Sequence, residues 1–355
     1  MGRRTRLLGA AALLMMVALT AGGGDVAVAA DGPTGSFTLD NGATVTDDGF
    51  VSIQYQASGP NPIAVVYTSD SSQRDANGNL LCFSQWPYGQ AINTFSLFNA
   101  GCQDNNSESG PKTVYIQFVD DQGLFSPVYQ QTIVLAGPPT WTLNPQWQFT
   151  TPQTVTKTNV SLHASWLASG ATALTYSPKL SINSGPFTTP AGVATTATGF
   201  NTKTTFHTVL QAQASPLDAF GNASIPNSKI AGAEPIWIDQ SDSHAIYKGT
   251  WKTQAGTGFL GGGDRFSAQK NASVTFTCGC FTLSWVTSVG PKRGIVNVMV
   301  DGTPAGSVDL HAVTAGNRRV VWSHAFAAGG THTLTLTVAG TTGRPRIDVD
   351  AFLQS

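Results

Sequence analysis

Residues 290–352 read GPKRGIVNVMVDGTPAGSVDLHAVTAGNRRVVWSHAFAAGGTHTLTLTVAGTTGRPRIDVDAF. Apolar and polar residues alternate at Val296, Val298 and Val300, and again at Leu334, Leu336 and Val338. A period of two is the mark of a strand with one face in a core. Asp301-Gly302 breaks the pattern where a turn is needed. The same alternation recurs upstream, at Val51-Ile53-Tyr55 and Val114-Ile116-Phe118. Gly, Asn, Asp and Pro punctuate these runs about every ten residues, and no long stretch after residue 30 carries helical spacing. The expected fold is all-β, built of sandwiches.

Composition narrows the function. The 355 residues suffice for two or three domains. Charged residues make up 11%, so the surface must be hydroxyl- and amide-rich. The net charge of −1 leaves no basic footprint, which argues against nucleic acid as a partner. Arg3, Arg4 and Arg6 precede an apolar run from Leu7 to Leu19, and Ala27-Val28-Ala29 supplies small residues for cleavage. Residues 1–30 therefore read as a secretory signal, with the mature protein extracellular and not inserted in a membrane. Cys82, Cys102, Cys278 and Cys280 read as two disulfides in that compartment, pairing left open among three arrangements.

Three segments follow the signal. Residues 31–136 carry Trp86-Pro87-Tyr88, then GPKTVYIQFVD at 110–120, Gly123, Ser126 and TIVL at 132–135. This order resembles a repeat of bacterial surface immunoglobulin-like domains, with an insertion at 70–81 and two added cysteines. Residues 137–240 carry VSLHASW at 160–166 and DAFGNAS at 218–224, and resemble a fibronectin-type-III-like repeat. Residues 241–355 carry YKGTW at 247–251, the Gly290-Pro291 turn, the VMVDG run, and GTHTLTLTVAGTTGRPRIDVDAF. They resemble the galactose-binding-like jelly-roll module that ends many secreted bacterial, notably actinobacterial, proteins. The resemblances imply two immunoglobulin-like β-sandwiches followed by a galactose-binding-like jelly-roll β-sandwich. They further imply a secreted, non-catalytic protein that attaches to an extracellular or cell-surface glycan through the jelly roll, the two sandwiches acting as spacers. Two alternatives stand beside it: a structural or adhesive protein with protein partners, and a hydrolase of unrecognised type.

Familiar enzyme signatures are missing: no G-x-S-x-G, H-E-x-x-H or Walker loop occurs. GTGFLG at 256–261 matches G-x-G-x-x-G but lies between strands, and reads as a mobile loop rather than a dinucleotide site. No catalytic residue is assigned. Trp251, Trp285 and Trp322 are candidate stacking platforms for a sugar ring, with core packing as the competing reading. Lys292, Arg293 and Arg344 are candidate donors to hydroxyls or carboxylates, with ion pairing to Asp348 or Asp350 as the competing reading. Asp348 and Asp350, two apart on one strand, share a face and need a counter-charge. Arginine can supply it; the resemblance also implies a structural calcium, the only cofactor in view.

Overall fold

The computed structural model of the chain describes residues 32–59, 61–68, 74–81, 83–98 and 109–355. The signal segment, Cys82 and Cys102 lie outside the described residues. Among the described residues there are strands and a single 3₁₀ turn, Asp40–Gly42. The all-β expectation holds.

The first sandwich packs a three-stranded sheet on a five-stranded one. Thr34–Leu39, Phe50–Ser58 and Ile92–Ser96 form the former. Gly110–Asp120 is central to the latter, and turns Val114, Ile116 and Phe118 into the core. The Asn41-Gly42 pair has positive φ at both residues, as its sequence requires. The turn does not close a tight hairpin, however. Leu39 is paired with Ile53, and the intervening chain crosses to the other sheet, where Val45–Thr46 runs parallel to Val134 and Leu135.

The second sandwich opposes two three-stranded sheets. Asn159–Ser169 alternates without a break, burying Val160, Leu162, Ala164, Trp166 and Ala168. The two sandwiches share a turn device. Asp120 Oδ1 accepts hydrogen bonds from the amides of Gln122 and Leu124, and Asp218 Oδ1 accepts from those of Phe220 and Asn222. Gly123 and Gly221 take the left-handed conformation that the turn demands. Each turn is followed by a buried serine, Ser126 or Ser224.

The C-terminal sandwich is built around two long antiparallel strands, Ser273–Val289 and Gly316–Val338, in an eight-stranded sheet. A three-stranded sheet, Lys252–Ala255, Gly263–Ser267 and Ile347–Val349, faces it. Val274, Trp285, Val296, Val298, Leu334, Leu336 and Phe352 fill the space between, and the rings of Phe276 and Phe352 stack at 4.2 Å. Cys278 and Cys280 are bridged to each other, their Cα atoms 5.5 Å apart.

The second and third sandwiches are joined by more than a linker. Gln153–Thr154, from the second, pairs with Arg319 and Val320 in the jelly-roll sheet. One continuous core holds Trp147, Phe149 and Trp166 together with Leu260, Val286, Val320 and Leu353. Thr282 Oγ1 donates to the Trp147 carbonyl at 2.6 Å, and Gln148 Nε2 to that of Ser323 at 2.9 Å. The 256–262 loop is part of this junction. A Gly256–Gly262 backbone bond closes it, and Phe259 and Leu260 are buried. It packs as a tucked-in loop, not as the free one its glycines suggested.

Candidate functional site

The last strand sets the charge arrangement at one end of the jelly roll. Asp348 is fully buried and meets two guanidinium groups, Arg293 and Arg346. Arg346 also lies over the Phe266 ring at 3.8 Å and donates to Gln254 Oε1 at 2.9 Å. Arg344 turns away to Asp309 and to the Arg293 carbonyl. Asp350, also fully buried, accepts from the Leu260 amide at 2.8 Å. Asp348 therefore has its counter-charge from arginine, and its clamped carboxylate does not fit a calcium ligand. No group of three acidic, His or Cys residues able to hold a metal ion occurs among the described residues.

Asp264 stands beside this cluster with both oxygens buried. Burial first, then the neighbouring Asp348 charge and a hydrogen bond to Asp348, push its carboxyl up to about 7. Neither oxygen meets a donor within hydrogen-bond distance, and Arg346 Nη2 stands 3.9 Å from Oδ2. Burial also pushes Asp350 up to about 7. Between pH of about 4, where unfolded Asp titrates, and about 7, the folded state holds protons that the unfolded state has lost. Stability therefore falls as pH rises through that window, by no more than about 4 kcal/mol per carboxyl. Melting temperatures from pH 4.5 to 8 test this. Asp264→Asn should flatten the decline; an unchanged slope refutes the assignment.

The remaining sequence candidates scatter. Trp285 is fully buried, its indole donating to the Asp348 carbonyl at 3.3 Å. The expectation of a stacking platform there is corrected: the ring fills the core. Trp322, across the strand pair from Trp285, is partly buried and continues into a row with His324 and Phe326. Trp251 sits edge-on to Tyr247 at 5.0 Å and donates to the Lys248 carbonyl. Lys292 is exposed on the turn before Arg293. Arg293 and Arg344 meet, but in ion pairs; Trp251 and Trp322 pack against the core with other partners.

Two concavities lie elsewhere. A groove of about 690 Å³ separates the second sandwich from the jelly roll, lined by Trp147, Phe281, Phe326, Ile230, Asn144 and Glu234, among others. Phe281 is 57% exposed and lines the groove, its ring lying over Gly329. Further along the same strand a cavity of about 330 Å³ is lined by Asp242, His244, Phe276, Thr277, Cys278 and Gln354, among others. Asp242 Oδ1 meets His244 Nδ1 at 2.7 Å and also accepts the His244 backbone amide at 2.8 Å. Those two bonds, the backbone one foremost, hold its carboxyl below the ordinary range. Sequence reasoning missed both places. The Asp-Ser-His spacing at 242–244 was the available signal, since an acid two residues before a histidine in a turn can reach its ring.

No family model matches the chain. It is 26% identical over 120 residues to the A type blood N-acetyl-alpha-D-galactosamine deacetylase of Flavonifractor plautii, covering 33% of this chain and 15% of that protein. The chain thus spans about a seventh of the curated relative it matches. Among solved structures it resembles a two-domain esterase active on acetylated mannans, co-crystallised with mannopentaose. There the identity is 13%, the coverage 34% of this chain and 36% of that chain, and the TM-score 0.29. It also resembles a carbohydrate-binding module, CBM36, in complex with calcium and xylotriose, at 13% identity, 34% and 98% coverage, and a TM-score of 0.25. The deacetylase match overturns the expectation of a non-catalytic binding protein and of no enzymatic activity. Of the readings weighed on the sequence, the hydrolase alternative is the one it favours.

Proposed function

We propose that the chain is a glycan-directed hydrolase of the deacylating kind, and that the groove between the second sandwich and the jelly roll seats the glycan. The observation that carries this reading is the similarity to a glycan deacetylase. The groove adds chemical support. An exposed aromatic face such as Phe281 suits the C–H face of a sugar ring, while Asn144 and Gln146 offer donors and acceptors to its hydroxyls. Groove sites between domains commonly combine an apolar floor with a few convergent polar groups. In this reading the signal at residues 1–30 directs the protein outside the cell.

The test is acetate release by the full chain from acetylated oligosaccharides and from N-acetylgalactosamine-terminated glycans. Absence of acetate from every substrate, with the chain folded, refutes the proposal. Phe281→Ala should raise KM about tenfold and leave kcat unchanged, because a lost stacking contact of about 1.4 kcal/mol weakens ground state and transition state alike. Phe281 is exposed enough that folding should survive the change. A variant with wild-type KM removes the groove from the reading.

A further inference from the structure

We infer that His244, oriented by Asp242, is a general base that activates water for attack on an acetyl group in the cavity beside the Cys278–Cys280 bridge. The inference rests on the hydrolase reading and gives it a reacting group.

The geometry supplies three requirements. The first is orientation. The Asp242 carboxylate holds Nδ1 of His244 at 2.7 Å, which fixes the proton there and leaves Nε2 to accept another. The second is rigidity. Asp242 also accepts the His244 amide, Ala245 N donates to the Asp242 carbonyl, and Thr277 N donates to that of His244, which ties the turn to the long strand behind it. The third is access. The His244 side chain is 66% exposed, and both residues line the 330 Å³ cavity, which has room for water and a small acyl group.

Position relative to the groove completes the argument. Thr277 and Gly279 line the cavity and Phe281 lines the groove; all three belong to the same long strand, which carries a register shift between Cys280 and Thr282. Thr277 and Phe281 are about 14 Å apart at the rise of an extended chain, the length of two or three sugar rings. A glycan stacked on Phe281 can therefore present a neighbouring sugar's acetyl group at His244. Of the other histidines, His207 stands 3.8 Å from Glu234 of the groove lining, its own ring not part of that lining. His332 is held by Asp301 within the ring row and His163 by Asn201 on an exposed face, neither lining the cavity or the groove.

The step balances without a further reactant. His244 Nε2 takes one proton from water as its oxygen bonds to the acetyl carbon, and the carbonyl π pair moves onto oxygen. Collapse re-forms the carbonyl and breaks the bond to the sugar nitrogen or oxygen. The imidazolium returns its proton to that leaving atom, and acetic acid departs.

The experiment compares wild type, His244→Ala, Asp242→Asn and His311→Ala, the last an exposed histidine on another turn. His244→Ala should lower kcat about 10²–10³-fold with KM within twofold, the range of a lost general base. Added imidazole should restore part of the rate. Asp242→Asn, which affects only positioning, should lower kcat about tenfold, and His311→Ala should match wild type. If wild type releases acetate and His244→Ala is within threefold of it, the inference falls and the hydrolase reading stands. If wild type releases none, the hydrolase reading falls and the inference falls with it.

Discussion

Trp285→Ala should cost about 4–5 kcal/mol of stability, near the upper end for removing a buried tryptophan. The ring is fully buried in the core of the jelly roll that also holds Val296, Leu283 and Phe352. Its removal forfeits apolar burial and leaves a large void. It also takes away the indole N–H that meets the Asp348 carbonyl, although Thr287 Oγ1 still donates to that oxygen. Urea denaturation of the full chain measures this directly. Trp251→Ala gives the contrast: that ring lies at the margin of the core, so about 1–2 kcal/mol is expected. Equal losses at the two positions would mean that the core assignment of Trp285 is wrong.

Asp348→Ala should cost about 3 kcal/mol, because it strands two guanidinium groups at once. Removing one partner of a buried ion pair leaves an uncompensated charge, worth 3–5 kcal/mol where burial is complete. Arg293 and Arg346 keep 21% and 24% of their side-chain surface exposed, which places the expectation at the low end. Arg346 also keeps Asp264 Oδ2 at 3.9 Å, which holds the expectation down further. Arg344→Ala should cost 1 kcal/mol or less, since its partner Asp309 is nearly half exposed. A similar midpoint for the two variants in urea would refute the buried clamp.

These two residues also mark how far the sequence could be read. The alternation that picked out Val296, Val298 and Val300, and then Leu334, Leu336 and Val338, correctly gives inward faces. It works because antiparallel neighbours with one wet face force a strict period of two. Trp285 and Trp322 defeated the same reading. They are directly paired across adjacent strands and face the same way, yet one is sealed and the other only partly so. Parity fixes the face but not what covers it. The clamp on Asp348 was half legible. An ion pair from Arg293 to Asp348 or Asp350 was among the readings weighed, but Arg293 lies 55 residues earlier, and no local pattern shows that it and Arg346 close on one carboxylate while Arg344 turns to Asp309. The groove was not legible at all, since its lining is drawn from around 142–147, 230–234, 281–282 and 326–327, which no local pattern connects.

Leu260, Val286, Val320 and Leu353 look toward the second sandwich, and this makes the jelly roll a poor candidate for transplantation. A fragment cut at residue 241 would present those four apolar side chains to water, and would lose the Ile236–Asp239 strand that pairs with Ala351–Gln354. Such a fragment should aggregate or bind to whatever hydrophobic surface it meets. Fusion proteins that aim to borrow the C-terminal fold should begin near residue 138, where the first sandwich ends, so that residues 138–355 are inherited as one heritable and expressible unit.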